Sequence, residues 1–444
     1  MRTTIFRMLG IALVSAPTGC QFVEQLLEPK CVLEESNGQQ AIPADLIPRA
    51  IDPADRVVSP EVRAYLDGER AKLEIFATTV TRRGSMYDWI DPRSQVPDGV
   101  LAEPPPLDPE PDQSVSDDGC RPKAARGELE DEPEAWGPPG TVPILRIDPD
   151  RIHAPGTVAD FLSKYGDASD IPDYDIPAQV SPTNHHFHAR ARISQKNFGG
   201  EGYFSIWQPF AQAPQEMSLG QIGVFAVDES GNIKESVEAG WIVYQRRYGD
   251  FATRFFVYFT TTGYKETGPN KGGPDEKQLG WVQTSSTIRP GTILTETSAL
   301  GGEPVEAYIR VELHEGKWWV RFRDEFVGYY PASMYSPTGL GTQATGIQFN
   351  GETYDDPAIA GMTVTDMGSG EFPNLKAKRR SAYMRDLQVQ DTFDASKRTT
   401  FRPPQNDVQA TNRKCYSFID ATAATDAWHS QFYYGGPGQN PGCP

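Results

Sequence analysis

The stretch VEAYIRVELHEGKWWVRF, residues 305–322, decides the fold class. Val305, Ala307, Ile309, Val311 and Leu313 alternate with Glu306, Arg310 and Glu312, the two-residue period of a strand with one buried face. HEGKWW then supplies a charged turn containing glycine, so 307–322 reads as a β-hairpin. Working outward, FHARARISQ, GYFSIWQP, GQIGVFAVD, AGWIVYQ, RFFVYFTTTGY, GWVQTS and SAYMRDLQVQD read as further strands at short spacing. Strands this dense, without helical patterns between them, predict an all-β antiparallel sandwich or barrel from about Asn184 onward. No fixed-period repeat is evident.

Composition agrees. The 444 residues suffice for a sizeable core, yet only 38% are apolar, and 41 Gly and 38 Pro argue against a helical protein. A net charge of −18 speaks against nucleic acid or an anionic membrane surface as a partner. Much of that charge lies between Leu101 and Val180, where 18 Asp/Glu face 6 Lys/Arg.

The first 20 residues read as an export signal. Arg2 and Arg7 precede the apolar run MLGIALVSA, too short to span a bilayer. Thr18 and Gly19 before Cys20 resemble a bacterial lipoprotein processing site, although Pro17 departs from its usual aliphatic residue. The expectation is a secreted, extracellular protein, tethered to the cell surface where Cys20 carries lipid. Export permits disulfides, and the tidiest pairing of the five cysteines joins Cys31 to Cys120 and Cys415 to Cys443, leaving Cys20 over.

Residues 21–180 read differently from 181–444. One helix is expected near Ser59 to Thr79, with Pro60 and Glu61 in its first turn and Val62, Tyr65, Leu66 and Leu73 on one face. LAEPPPLDPEPDQSVSDDG reads as an acidic, extended linker, and GTVPILRI (140–147) as a strand. This half is expected to be a small mixed pro-domain.

The usual nucleophile and metal patterns are absent: there is no G-x-S-x-G and no H-E-x-x-H. His185, His186 and His188 read as the start of a strand rather than as metal ligands, because no carboxylate or cysteine lies near them in sequence. No metal and no cofactor are expected. Carboxylates remain. Glu238 stands in the strand-forming run SVEAGWIVY and Glu352 in FNGETYDD, and paired carboxylates can activate water against an amide or glycosidic bond. On pattern alone each also reads as an ordinary solvated charge.

These blocks carry a resemblance. SVEAGWIVY, RFFVYFTTTGY, GWVQT, GKWWVRF, VGYYPASMY, FNGETYDD, TDMGSGEFP, SAYMRDLQ and FYYGGPG occur in the order found in the neprosin family, from Asn184 to Cys443. The likeness extends weakly upstream, through Cys31, Cys120 and GTVPILR, to that family's pro-domain. The resemblance implies a jelly-roll-like β-sandwich glutamic peptidase that cleaves after proline at acidic pH and is made as an inactive precursor. It implies catalytic roles for Glu238 in EAGW and Glu352 in NGETY, and a proline pocket built from Trp241, Tyr244, Tyr329 and Tyr330. Gln221, in LGQIGVF, matches a family glutamine suited to polarising the scissile carbonyl. Implied partners are proline-containing peptides and the chain's own pro-domain as inhibitor.

There are departures. Asn350 replaces the first glycine of the family's second glutamate block, and 265–280 lacks the cysteine pair of plant relatives. Cys443 also lies four residues beyond GGPG. The alternative is a secreted carbohydrate-active or carbohydrate-binding sandwich, although the E-x-D-x-E pattern of many such hydrolases is missing.

Overall fold

A computed structural model describes residues 56–108, 122–162, 185–264, 272–274, 280–356, 359, 363–394, 397–403, 408–421 and 428–438. Strands are numbered in chain order from β1 to β20. The hairpin expected at 307–322 forms as β12 (Val305–His314) and β13 (Lys317–Phe322). Glu315 and Gly316 close it at φ 46° and 70°. Two successive positive φ values give the turn whose twist suits adjoining strands.

Two sheets build the sandwich. The first runs β10 (Gly272–Pro274), β9 (Arg254–Thr260), β8 (Ile233–Tyr244), β7 (Met217–Val227), β15 (Gly346–Tyr354), β5 (His186–Ile193) and β18 (Val408–Ala410), every ladder antiparallel. The second runs β11 (Val282–Gln283), β14 (Glu325–Pro331), β13, β12, β6 (Gly199–Ser205), β16 (Ala382–Val389), β20 (Gln431–Gly435) and β19 (Ser417–Asp420). β17 (Thr399–Thr400) adds to β16, and β3 (Lys123–Ala124) to β12. Between the sheets, Ile222, Val237, Trp241, Ile347 and Phe349 meet Ile309, Val311, Val320, Met384 and Phe432 in one core.

The outer faces depart from the alternation. Glu306, Arg310 and Glu312 on β12 were expected to meet water, yet they are buried. Arg310 pairs with Glu312, lies 3.6 Å from Glu201 and 3.1 Å from Asp108, while Glu306 pairs with Arg385 and accepts from Tyr383 Oη at 2.9 Å. Removing one member of such a buried set costs about 3–5 kcal/mol, so these charges are tolerated as a network rather than one by one.

Asp108 belongs to the acidic stretch that reads as an extended linker. The described part of that stretch, 101–108, is a docked strap: Leu101 and Ala102, with Val96 before them, pack on Val282, Trp319, Phe326 and Tyr329, and Asp108 also reaches Arg398 at 3.2 Å. Upstream, Ser59 caps the helix Pro60–Ala71 by accepting from the Val62 amide at 3.1 Å. The helix stops short of Thr79 because Ala77–Val80, with three β-branched residues, enters β1. β1, β2 (Met86–Ile90) and β4 (Val142–Arg146) form a small antiparallel sheet, β4 lying within the expected strand. This region packs onto the sandwich. Val62, Ile152, Phe161 and Leu162 join the sandwich core, and β3 pairs parallel with Val305 and Glu306 of β12.

Candidate active site

Strand parity places the chemistry. On β8 the odd residues Val237, Ala239 and Trp241 enter the core, which turns Glu238, Gly240, Ile242 and Tyr244 to the outer face of the seven-stranded sheet. On β15, Ile347 and Phe349 face inward, so Gln348, Asn350, Glu352 and Tyr354 share that outer face. On β5 the inward residues are Phe187, Ala189 and Ala191, leaving His186, His188, Arg190 and Arg192 outside. Glu238 and Glu352 therefore lie on one surface.

The glycines beside them have packing reasons. A Cβ on Gly240 would stand 2.0 Å from the Gly220 carbonyl oxygen of β7, and one on Gly351 would stand 2.3 Å from the Tyr434 ring. EAGW and NGE need glycine there because a neighbouring strand and a core tyrosine already fill the space.

The two carboxylates have separate partners. Glu238, 1% exposed, accepts at Oε1 from Tyr264 Oη at 2.6 Å and Ser236 Oγ at 2.8 Å, beside Tyr258 across the β8–β9 ladder. Glu352, 0% exposed, has Oε1 3.0 Å from His186 Nδ1 and Oε2 3.9 Å from His188 Nδ1. Register explains the second cluster: His188 is the cross-strand partner of Glu352, and His186 follows on the same face, its ring against Tyr354. The carboxylate that the histidines lack in sequence is supplied by β15. Donor atoms of His186, His188 and Glu352 fall within 4.8 Å of one another, a set chemically suited to a divalent ion.

Between the glutamates runs a stripe of amides. Glu238 pairs with Gly223, and Gly223 with Gln348, four residues before Glu352. On a flat sheet that offset is about 10 Å across and about 13 Å along the strands. The carboxylates do not touch. In the row between them sit Gln221 and Asn350, directly paired and both buried, with Gln221 Nε2 donating to Asn350 Oδ1 at 3.4 Å.

The aromatic candidates separate. Tyr244 shares the glutamate face, packed with Met217 and Ile242. Trp241 and Tyr330 are buried in the core between the sheets, away from the outer face that carries both glutamates. Tyr329 lies on the outside of the other sheet against Trp319, where its hydroxyl is 3.5 Å from the Ala102 amide of the strap. Cys415 is buried and disulfide-bonded. Cys20, Cys31, Cys120 and Cys443 lie outside the described residues, as does the signal segment.

The family model for Neprosin matches residues 214–437, which span β7 to β20 and hold both glutamates, Gln221 and the aromatic candidates. The chain belongs to the Neprosin family. With that membership it is a glutamic-type peptidase. Among solved structures it is similar to a scytalido-glutamic peptidase bound to a peptide-based transition-state analogue, at 8% identity and TM-score 0.27, covering 56% of this chain and 98% of that one. It is also similar to SCP-B of the Eqolisin family, complexed with the tripeptide Ala-Ile-His, at 8% identity and TM-score 0.26, covering 56% and 96%. CG-16, an agglutinin from chicken liver, follows at 8% identity and TM-score 0.20, covering 37% and 93%. Scores this low carry no inference about the chemistry of this neprosin-family chain.

Sequence reading passed over a carboxyl cluster at the strand ends. Glu216, just before β7, and Asp355, just after β15, face one another with Asp356 nearby. Burial first, then the Glu216 charge and hydrogen bond, then Asp356, push Asp355 up to about 7. Burial likewise raises Glu216 and carries Asp366 up to about 6. A carboxyl that binds its proton more tightly when folded stabilises the fold fully below its unfolded value near 4, and that stabilisation is lost as pH rises through 7. Thermal unfolding from about pH 4 to 8 should show Tm falling across this window. Asp355→Asn, which cannot titrate, should flatten the fall; an unchanged slope would remove Asp355 as its source.

Proposed function

We propose that this chain is an exported endopeptidase that cuts on the C-terminal side of proline at acidic pH and is made as a zymogen, with Glu238 and Glu352 as its acid–base groups. The observation that carries the reading is the shared outer face, where two carboxylates with fixed partners flank a stripe of amides. Glu352 suits the base, since imidazoles facing both its oxygens hold it in place to take a proton from water. Glu238, oriented by the Tyr264 and Ser236 hydroxyls, then gives its proton to the departing nitrogen. Attack joins the water oxygen to the carbonyl carbon, the C–N bond breaks, and the products are an acid and an amine. Gln221 lies between the glutamates, where it can polarise the carbonyl. Of the four aromatic candidates, Tyr244 is the one on that face, beside Tyr258 and Tyr354, and is assigned to the proline ring.

Burial of both glutamates supports the zymogen part, because a peptide must gain access to them before it can be cut. Leu145 of β4 packs into the apolar cluster on the same face. The N-terminal region thus touches the surface it would guard, and Pro177 and Pro182 stand as self-cleavage points beyond it.

The test is hydrolysis of a proline-containing peptide by acid-treated protein, with and without a strong chelator. Chelator-resistant cleavage after proline is expected. Activity lost on chelation and regained with a divalent metal would instead assign His186, His188 and Glu352 as metal ligands. Absence of any cleavage, with binding of oligosaccharide, would favour the carbohydrate alternative.

A further inference from the structure

We infer that Asn350 is a carbonyl-binding group of the active site, a second amide donor to the oxygen of the scissile bond beside Gln221; the inference rests on the peptidase reading above. Its side chain is 0% exposed in the middle of β15, on the same face as both glutamates. It stands two residues before Glu352 on that strand and directly across from Gln221, which is itself diagonal to Glu238. Glu238, Gln221, Asn350 and Glu352 form one continuous diagonal over β8, β7 and β15. A peptide bond reached by both carboxylates has to cross the two amides.

The hydrogen bonding sets the amide's direction. Asn350 Oδ1 accepts from Gln221 Nε2 at 3.4 Å, which turns Asn350 Nδ2 the other way. That nitrogen is fully buried and has no hydrogen-bond partner among the described residues. An unmatched buried donor costs about 1–3 kcal/mol, so a strand that keeps one gains nothing in stability from it. A carbonyl oxygen placed over the stripe supplies the missing acceptor. Its bond to Nδ2 strengthens as the tetrahedral intermediate gathers negative charge, the differential that accelerates a reaction. The site needs no charge change at Asn350: water adds to carbon, Glu352 takes one proton, and the oxyanion is held by neutral N–H groups until the C–N bond breaks. Asn350 also stands where the family pattern has glycine, so this donor is a feature of this chain rather than an inheritance of the motif.

Asn350→Leu keeps size and removes the N–H; Asn350→Gly removes the side chain altogether. Both are compared with the unaltered chain after acid treatment, on a proline peptide and on the corresponding peptidyl-prolinal, whose hydrate mimics the intermediate. Loss of one such donor should lower kcat by about 100- to 1,000-fold with little change in KM. The prolinal should bind correspondingly more weakly to both variants, while the matching peptidyl-prolinol binds as before. Unchanged kcat and unchanged prolinal affinity in either folded variant would overturn the assignment. If Glu238→Gln and Glu352→Gln keep activity while the Asn350 variants lose prolinal affinity, the two-glutamate reading fails and the carbonyl site stands. If the glutamate variants are dead and the Asn350 variants are not, the reverse holds.

Discussion

Glu238→Gln and Glu352→Gln should each reduce peptide cleavage by about 100- to 10,000-fold, the usual worth of a general acid or base. Both replacements should fold. Glutamine at 238 still offers an oxygen to Tyr264 and Ser236, and glutamine at 352 still offers one to His186. What disappears is the proton. The double variant should be little worse than either single one, because the two groups serve one reaction and their effects do not add. Glu235 provides the control: it is buried on the same strand but accepts from the Ser336 and Leu340 amides at 2.7 and 2.9 Å. Glu235→Gln should lower Tm and leave kcat alone. Peptide hydrolysis and self-processing near Pro177 and Pro182 are the readouts. Wild-type rates in both single variants would make the glutamates bystanders.

Separation of the N-terminal region, the activation step proposed above, should have the next largest effect, a rise in activity on the order of 100-fold, both glutamates being buried in the full chain. Charge holds part of that region in place. Asp108 binds Arg310 and Arg398, and Glu130 lies 3.1 Å from Arg323. Neutralising such carboxylates would loosen the clamp. Exchanging the acidic residues of 101–134 for amides should therefore let maturation proceed without acid, followed by electrophoresis and peptide assay from about pH 3 to 7. Maturation that still demands acid would move the switch elsewhere, with Glu216 and Asp355 the next groups to replace.

The sequence carries the fold well wherever one strand face is apolar and the other charged, as in β12. Position 238 is harder, because SVEAGWIVY has both faces buried and apolar residues on each. Parity counted from Glu238 would still have sorted the candidates: Tyr244, six residues on, shares its face, whereas Trp241, three on, cannot. By the same rule adjacent Tyr329 and Tyr330 could never line one pocket. Sheet register stayed invisible. It brings His188 to Glu352 across 164 positions and Asn350 to Gln221 across 129, and no local pattern encodes either pairing. The docking of 101–108 is illegible for a related reason: its composition is that of a solvated linker, and its arginine partners lie 202 and 290 residues away.

The parallel pairing of β3 with β12 bears on what would follow the cleavage proposed above. Backbone hydrogen bonds run from Lys123 to Pro304 and from Ala125 to Glu306, and they do not depend on an intact link between residues 162 and 185. Scission should thus yield a two-fragment complex, and release becomes a dissociation step governed by mass action. Activity should then appear after a lag that shortens on dilution, and concentrated product should slip back into the inhibited form.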